Sequence, residues 1–153
     1  MNILGIDPGK NKFGAAVIGA EKKIIFRKIQ RFQNLENRDR EISDLIYSPL
    51  RETFNETLLR FNITVIALGD GTASADYNRI ISRILSESKR YKNIATLLTD
   101  EKYTTEKARE LYHDYNPPNL LIRWLPKTLI PVLCDVDDFA AAAIAINYVE
   151  RTG

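Results

Sequence analysis

Four separated acidic clusters stand out in the chain: Asp7 in Ile6-Asp7-Pro8-Gly9, Asp70 in Gly69-Asp70-Gly71-Thr72, Glu101 in Asp100-Glu101-Lys102, and the trio Asp135, Asp137 and Asp138. Each of the first three follows a short apolar run that reads as a buried strand, and the fourth opens an Ala/Ile-rich helix. Carboxylates delivered from separate strand ends and a helix start can converge on one spot. Their oxygens are the hard ligands that Mg²⁺ and Mn²⁺ prefer, and like charges so clustered become tolerable when cations neutralise them. Two such ions roughly 4 Å apart can activate a water and stabilise a leaving 3′ oxygen, which is the chemistry of phosphodiester hydrolysis. No histidine base is required, and the lone His113, beside Asp114, is expected at the surface.

The elements that must position these acids follow from periodicity and turn chemistry. Asn2 to Asp7 is an apolar run ended by Pro8-Gly9. Phe13 to Ile18 and Lys22 to Phe32 read as the next two strands, joined at Gly19-Ala20-Glu21 by a tight hairpin. From about Arg38 to Phe61 apolar residues recur at helical spacing, with Pro49 expected to break or kink the helix. Ile63 to Leu68 is a continuous β-branched run, the mark of a strand covered on both faces. Tyr77 to Arg90 reads as a helix, Ile94 to Leu98 as a strand, and Thr105 to Tyr112 as a helix that Thr104 or Thr105 caps. Residues 119–133, interrupted by Pro126 and Pro131, read as a loop with a helical turn, and Asp135 to Arg151 as the terminal helix.

Strands joined by short turns make an antiparallel meander, and strands separated by helices return parallel through right-handed crossovers. The fold class expected is therefore α/β: a five-stranded mixed sheet with helices on both faces. Strands 1, 4 and 5 then run parallel, and Asp7, Asp70 and Glu101 fall at their carboxyl ends, where open α/β sheets bind ligands.

Composition sets wider bounds. A chain of 153 residues suits one domain, 1–153, and 44% apolar with 27% charged residues is ordinary globular composition. A net charge of +2 and a pI near 8.6 are weak pointers to a nucleic-acid partner. Residues 21–40 hold seven Lys or Arg (Lys22, Lys23, Arg27, Lys28, Arg31, Arg38, Arg40) against three acids, and read as a solvated edge or as a phosphate-contact face. The single cysteine, Cys134, excludes an internal disulfide and is expected as a small buried residue beside the acids. No apolar run is long enough to span a membrane, and Met1 leads directly into a strand, so a cytoplasmic location is expected.

The segment Leu4-Gly-Ile-Asp-Pro-Gly-Lys-Asn-Lys-Phe-Gly-Ala-Ala-Val-Ile18 resembles the opening motif of the ribonuclease H-like YqgF/RuvX family and of its Holliday junction resolvase relative RuvC. Ile66-Ala-Leu-Gly-Asp-Gly-Thr-Ala-Ser74 is similar to a segment of the YqgF-like domain of the transcription accessory protein Tex, which has Asn where this chain has Asp70. Asp100-Glu-Lys-Tyr-Thr-Thr105 and Val136-Asp-Asp-Phe-Ala-Ala-Ala-Ala-Ile-Ala-Ile146 are similar to the remaining YqgF motifs, in the same order.

The resemblance implies a ribonuclease H-like sheet of strand order 3-2-1-4-5 and a Mg²⁺- or Mn²⁺-dependent nuclease. Its substrate would be structured RNA or branched DNA, and a homodimer would serve symmetric junction cleavage. It implies Asp7, Glu101 and a terminal-helix acid as metal ligands. That acid is Asp137 in the YqgF register and Asp138, supported by Asp135, in the RuvC register. Because helical residues three apart share a face, Asp138 is the expected ligand and Asp137 is expected to face solvent or to favour the helix N-terminus. Asp70 is a further catalytic candidate or a turn aspartate.

Lys10 and Lys12, the amides around Gly71 and Thr72, and Lys102 are the expected phosphate contacts. The family's basic segment before the terminal acids is absent here, where only Lys127, with Arg123 and Trp124 upstream, remains. Trp124 can stack on a base or pack among Leu121, Ile122 and Leu125. The alternative to an enzyme is a non-catalytic nucleic-acid-binding or scaffold domain of the Tex type.

Overall fold

The apolar runs build strands β1 (Asn2–Pro8), β2 (Lys12–Ile18), β3 (Ile24–Arg31), β4 (Ile63–Gly69) and β5 (Ala95–Thr99) in a computed structural model that describes residues 1–32, 42–102, 104–118, 124–132 and 134–152. These five form one sheet in the order β3-β2-β1-β4-β5, antiparallel across β3-β2-β1 and parallel across β1-β4-β5, as the connections require. The helices are α1 (Ile42–Thr57), α2 (Ser74–Ser86), α3 (Thr104–Tyr115) and α4 (Asp137–Thr152).

Strand alternation divides the core in two. Leu4, Ile6, Phe13, Ala15, Val17, Ile66 and Leu68 face α1 and α2, while Ile3, Ala16, Ile18, Val65 and Ala67 face α4. Helix α4 lies close on the sheet because its inner surface is small: Ala141, Ala142 and Ala145 are fully buried. Gly5 and Gly14 complete the fit. A methyl group added to Gly5 would overlap the carbonyl of Ala141, and one added to Gly14 the carbonyl of Asp137. The start of α4 is thereby pinned to the middle of β2.

Several boundaries differ from the sequence expectation. Helix α1 runs through Pro49 without a break, because Ile46, Leu50 and Phe54, with Leu58 just beyond its end, bury completely against the sheet and outweigh one missing amide bond. The expected helix start at Arg38 lies outside the described residues. The β2–β3 connection is a 3₁₀ turn, Ala20–Lys22, rather than a tight hairpin, with Glu21 at φ 55° and Lys22 at φ 59°. Helix α2 opens at Ser74, one turn earlier than Tyr77, and ends at Ser86. Among its described residues the loop after α3 carries one 3₁₀ turn, Lys127–Leu129. Helix α4 begins at Asp137, so Asp135 stands before it.

Candidate active site

Period-2 alternation decides where Asp7 goes. Ile3 and Gly5 face α4, so Asp7 projects to the same side, at the carboxyl end of the central strand. Its partner across the β1–β2 ladder is Gly14, which has no side chain to crowd it. Behind this strand end, Tyr77 is fully buried in α2 and donates its hydroxyl to the Gly9 carbonyl at 2.8 Å, fixing the turn that follows Asp7. Burial raises the Tyr77 hydroxyl well above its usual range.

Glu101 is held at three points. Its amide donates to Asp70 Oδ1 at 3.0 Å, its carbonyl accepts the Thr104 hydroxyl at 2.7 Å, and its Oε1 accepts the Gly71 amide at 3.1 Å. Gly69 and Gly71 leave the space it occupies, since a methyl group on Gly69 would overlap the Glu101 carboxylate. Asp70 thus ties the β4 end to the β5 end through its side chain. Thr104, expected as a cap, tethers Glu101 instead.

At the start of α4 the acids separate. Asp137 accepts from Lys12 Nζ at 2.7 Å, and the same ammonium reaches Asp135 Oδ1 at 2.9 Å. Asp138 turns the other way. It is 5% exposed, ion-paired with Arg27 of β3, and accepts the Phe139 amide, while Arg27 also stacks 4.6 Å over the Phe139 ring. Arg31 pairs with Asp135. Asp137 takes the helix N-terminal position, which was the expected alternative to facing solvent, and pairs with Lys12 there. The sequence argument set Asp135 and Asp138 on one helical face, but Asp135 precedes the helix, so the rule for residues three apart does not apply.

The field at Asp7 shows what faces it. Burial, then Glu101, then Asp137 raise its carboxyl from the ordinary 3.8 to about 7, with Lys12 pulling the other way. Glu101 is also raised, chiefly by burial, and Lys12 is raised by its bond to Asp137. A carboxyl protonated more readily folded than unfolded makes the folded state bind the extra proton between these values. In metal-free protein the Asp7 contribution is full below pH 4 and is lost as pH rises toward 7, with a slope approaching about 1.4 kcal/mol per pH unit. The lowered Asp100, Asp135 and Glu150 act with the opposite sign, below that window. Melting in EDTA from pH 4 to 7.5 is expected to show the decline in wild type and a flatter profile in Asp7→Asn; parallel profiles would refute it.

Asp7, Glu101 and Asp137 are oxygen donors of the type a hard divalent cation takes, and a cation held among them would relieve the repulsion that helps raise Asp7. Among the described residues no three His, Cys, Asp or Glu side chains are placed as a ready-made cage. Mg²⁺ suits such an open set, since it keeps several waters and takes one or two carboxylates plus substrate phosphate. A cavity of about 310 Å³ lined by Asp7, Lys12, Thr105, Cys134, Asp135 and Asp137 opens at the end of β1.

The remaining candidates scatter. Lys10 is exposed on the turn after β1 and Thr72 on the turn before α2, whereas the Gly71 amide is engaged by Glu101. Lys102 lines a separate groove between α3 and α4 with Lys107, Glu110 and Glu150. The basic stretch is largely consumed by ion pairs: Lys22 with Glu150, Arg27 with Asp138 of α4, Arg31 with Asp135 just before that helix, Lys28 with Glu52 and Glu56. Arg38, Arg40 and Arg123 lie outside the described residues.

Two single residues also differ from expectation. Cys134 is exposed at the cavity, and His113 is buried with Nε2 3.3 Å from the Ile130 carbonyl, which ties the loop after α3 to that helix. Trp124 is 78% exposed, while Leu121 and Ile122, its expected neighbours, are outside the described residues. Sequence reasoning missed Gly14 and Gly69 as clearance for the acids; the small Gly14-Ala15-Ala16 run was the available signal. Among the described residues no helix is long and apolar enough to cross a membrane.

No protein-family model and no curated protein sequence matches the chain. Solved structures do. Thermus thermophilus RuvC in complex with a Holliday junction substrate is similar over 100% of this chain and 97% of its own, at 16% identity and a TM-score of 0.59. The fowlpox virus resolvase in complex with Holliday junction DNA is similar over 99% and 98%, at 14% identity and a TM-score of 0.56. The yeast mitochondrial Holliday junction resolvase is similar over 97% and 80%, at 14% identity and a TM-score of 0.52. At such identities the likeness speaks to architecture: the chain has the ribonuclease H-like fold of RuvC-type resolvases, with the 3-2-1-4-5 sheet expected from its sequence.

Proposed function

We propose that this single domain is a nuclease that uses Mg²⁺ or Mn²⁺ to hydrolyse phosphodiesters in branched nucleic acid. The observation that carries the reading is the cavity at the end of β1 that Asp7 lines together with Asp135 and Asp137 from around the start of α4, with Glu101 near enough to help raise the Asp7 carboxyl. Asp7, Glu101 and Asp137 would hold the cations, which when bound would activate the attacking water and stabilise the leaving oxygen. Asp70 orients Glu101 through its amide, and Tyr77 orients the Asp7 turn. Lys10 and Thr72, exposed on the turns after β1 and before α2, would be the contacts to the phosphate backbone.

A four-way DNA junction is the preferred substrate, because two resolvases of the same fold hold Holliday junction DNA. A homodimer would then present two sites to the two symmetric strands. Ribosomal RNA precursor processing, implied by the YqgF resemblance, is the competing outcome. A second reading, the Tex-type scaffold, is favoured by the ion pairing that consumes most of the basic stretch.

The test uses end-labelled four-way junction, duplex and hairpin RNA side by side with Mn²⁺ or EDTA. Metal-dependent cleavage of the junction alone is expected. Cleavage of RNA alone would move the substrate to RNA, and binding without cleavage of any of them would favour the scaffold.

A further inference from the structure

Lys12 occupies an unusual position for a phosphate-binding lysine. It is the first residue of β2, its side chain is 29% exposed, and its ammonium sits in the fork of Asp137 Oδ2 at 2.7 Å and Asp135 Oδ1 at 2.9 Å. The two acids differ in what else they hold. Asp135 has Arg31 as a second cation, whereas among the described residues Lys12 is the ion-pair partner of Asp137. Loss of Lys12 from the fork would therefore leave Asp135 neutralised and Asp137 open. The stem is four flexible carbons ending in a compact point charge, unlike the planar forks of Arg27, which fastens β3 to α4, and Arg31, which holds Asp135 ahead of it. It also lines the cavity over Asp7, so a short swing keeps it within the site.

We propose that Lys12 is a resident counter-ion of this site: it holds Asp137 in the metal-free protein, yields that carboxylate to an incoming divalent cation, and turns to a substrate phosphate. The inference rests on the proposed metal-dependent nuclease and adds a competition between one side chain and the ion. The field of Lys12 on Asp7 is in keeping with a charge standing where a cation is wanted. Competition at a single carboxylate gives opposite signs for two variants. Lys12→Met keeps length and removes charge, so Mn²⁺ is expected to bind nucleic-acid-free protein on the order of tenfold more tightly. Lys12→Arg offers a planar fork to the same acids and is expected to weaken Mn²⁺ binding below wild type.

The experiment is titration of Mn²⁺ into wild type, Lys12→Met, Lys12→Arg and Asp7→Asn, read by electron paramagnetic resonance of free Mn²⁺, with circular dichroism to show that each is folded. The same proteins are then titrated with four-way junction in Ca²⁺ over a range of salt. Removing one phosphate contact is expected to reduce the slope of log K against log salt by about 0.9 in Lys12→Met. Tighter Mn²⁺ binding in Lys12→Met with the reduced slope supports the counter-ion role. Unchanged or weaker Mn²⁺ binding in Lys12→Met overturns it while Asp7-dependent binding in wild type leaves the metal site standing. Absence of Asp7-dependent Mn²⁺ binding in every variant sinks the metal-site reading itself, and the competition with it.

Discussion

Asp137→Asn is expected to remove junction cleavage by about three orders of magnitude or more, with junction binding retained or improved. The exchange keeps shape and deletes one of the charges that raise Asp7, so the loss would report a metal-bound oxygen rather than a folding defect. Asp138→Asn, the adjacent isosteric exchange, is expected to behave in the opposite way. Its carboxylate is 5% exposed and holds Arg27 over Phe139. Losing it leaves a half-exposed guanidinium that can turn to water and weakens the charge at the helix N-terminus, for roughly 1–3 kcal/mol of stability. Cleavage below the melting temperature should stay within about tenfold of wild type. A thermal melt and a single-turnover assay on both proteins decide the matter: an inactive Asp138→Asn beside an active Asp137→Asn would restore the RuvC register.

Gly14→Ala is expected to damage stability and catalysis together. The added methyl would overlap the Asp137 carbonyl, and neither β2 nor α4 can move away cheaply, since both are buried on the face they share. Overpacking of this kind costs about 1–3 kcal/mol. Displacing the start of α4 by on the order of 1 Å moves Asp137 relative to Asp7, and misplacement on that scale costs about 100-fold in rate. Gly19→Ala is the matched control. There the new methyl meets the flexible Ile25 side chain at 3.3 Å and Asn2 Oδ1 at 3.6 Å, at an extended backbone, so little should change. Equal effects of the two substitutions on rate would show that clearance at Gly14 does not set the site.

The mixed sheet was legible because it depends on patterns the sequence carries locally, β-branched runs, breakers and the length of each crossover, whereas its strand order was implied by the family resemblance. Asp7 and Glu101 were legible for the same reason, since a strand end places its residue whatever the side chains around it do. The register at α4 was not. It depends on where the helix starts, and that start is set by the contact of Gly14 with the Asp137 carbonyl, between residues far apart in the chain. The fate of the basic stretch was hidden likewise. The sequence shows the charge of Arg27 and Arg31, but only the packing of α4 and the residues before it against β3 supplied the acids that neutralise them. Pro49 shows the reverse error, a strong local signal overruled by three fully buried apolar neighbours on α1, Ile46, Leu50 and Phe54.

The most direct test of the account is the location of the metal. In crystals soaked with Mn²⁺, the anomalous difference map is expected to show an ion about 2.0–2.2 Å from an Asp7 carboxylate oxygen, with Glu101 or Asp137 completing its protein ligands and Asp138 still paired with Arg27. An ion bound by Asp138 and not Asp137, or no ion at Asp7 at Mn²⁺ concentrations that support cleavage, would contradict it.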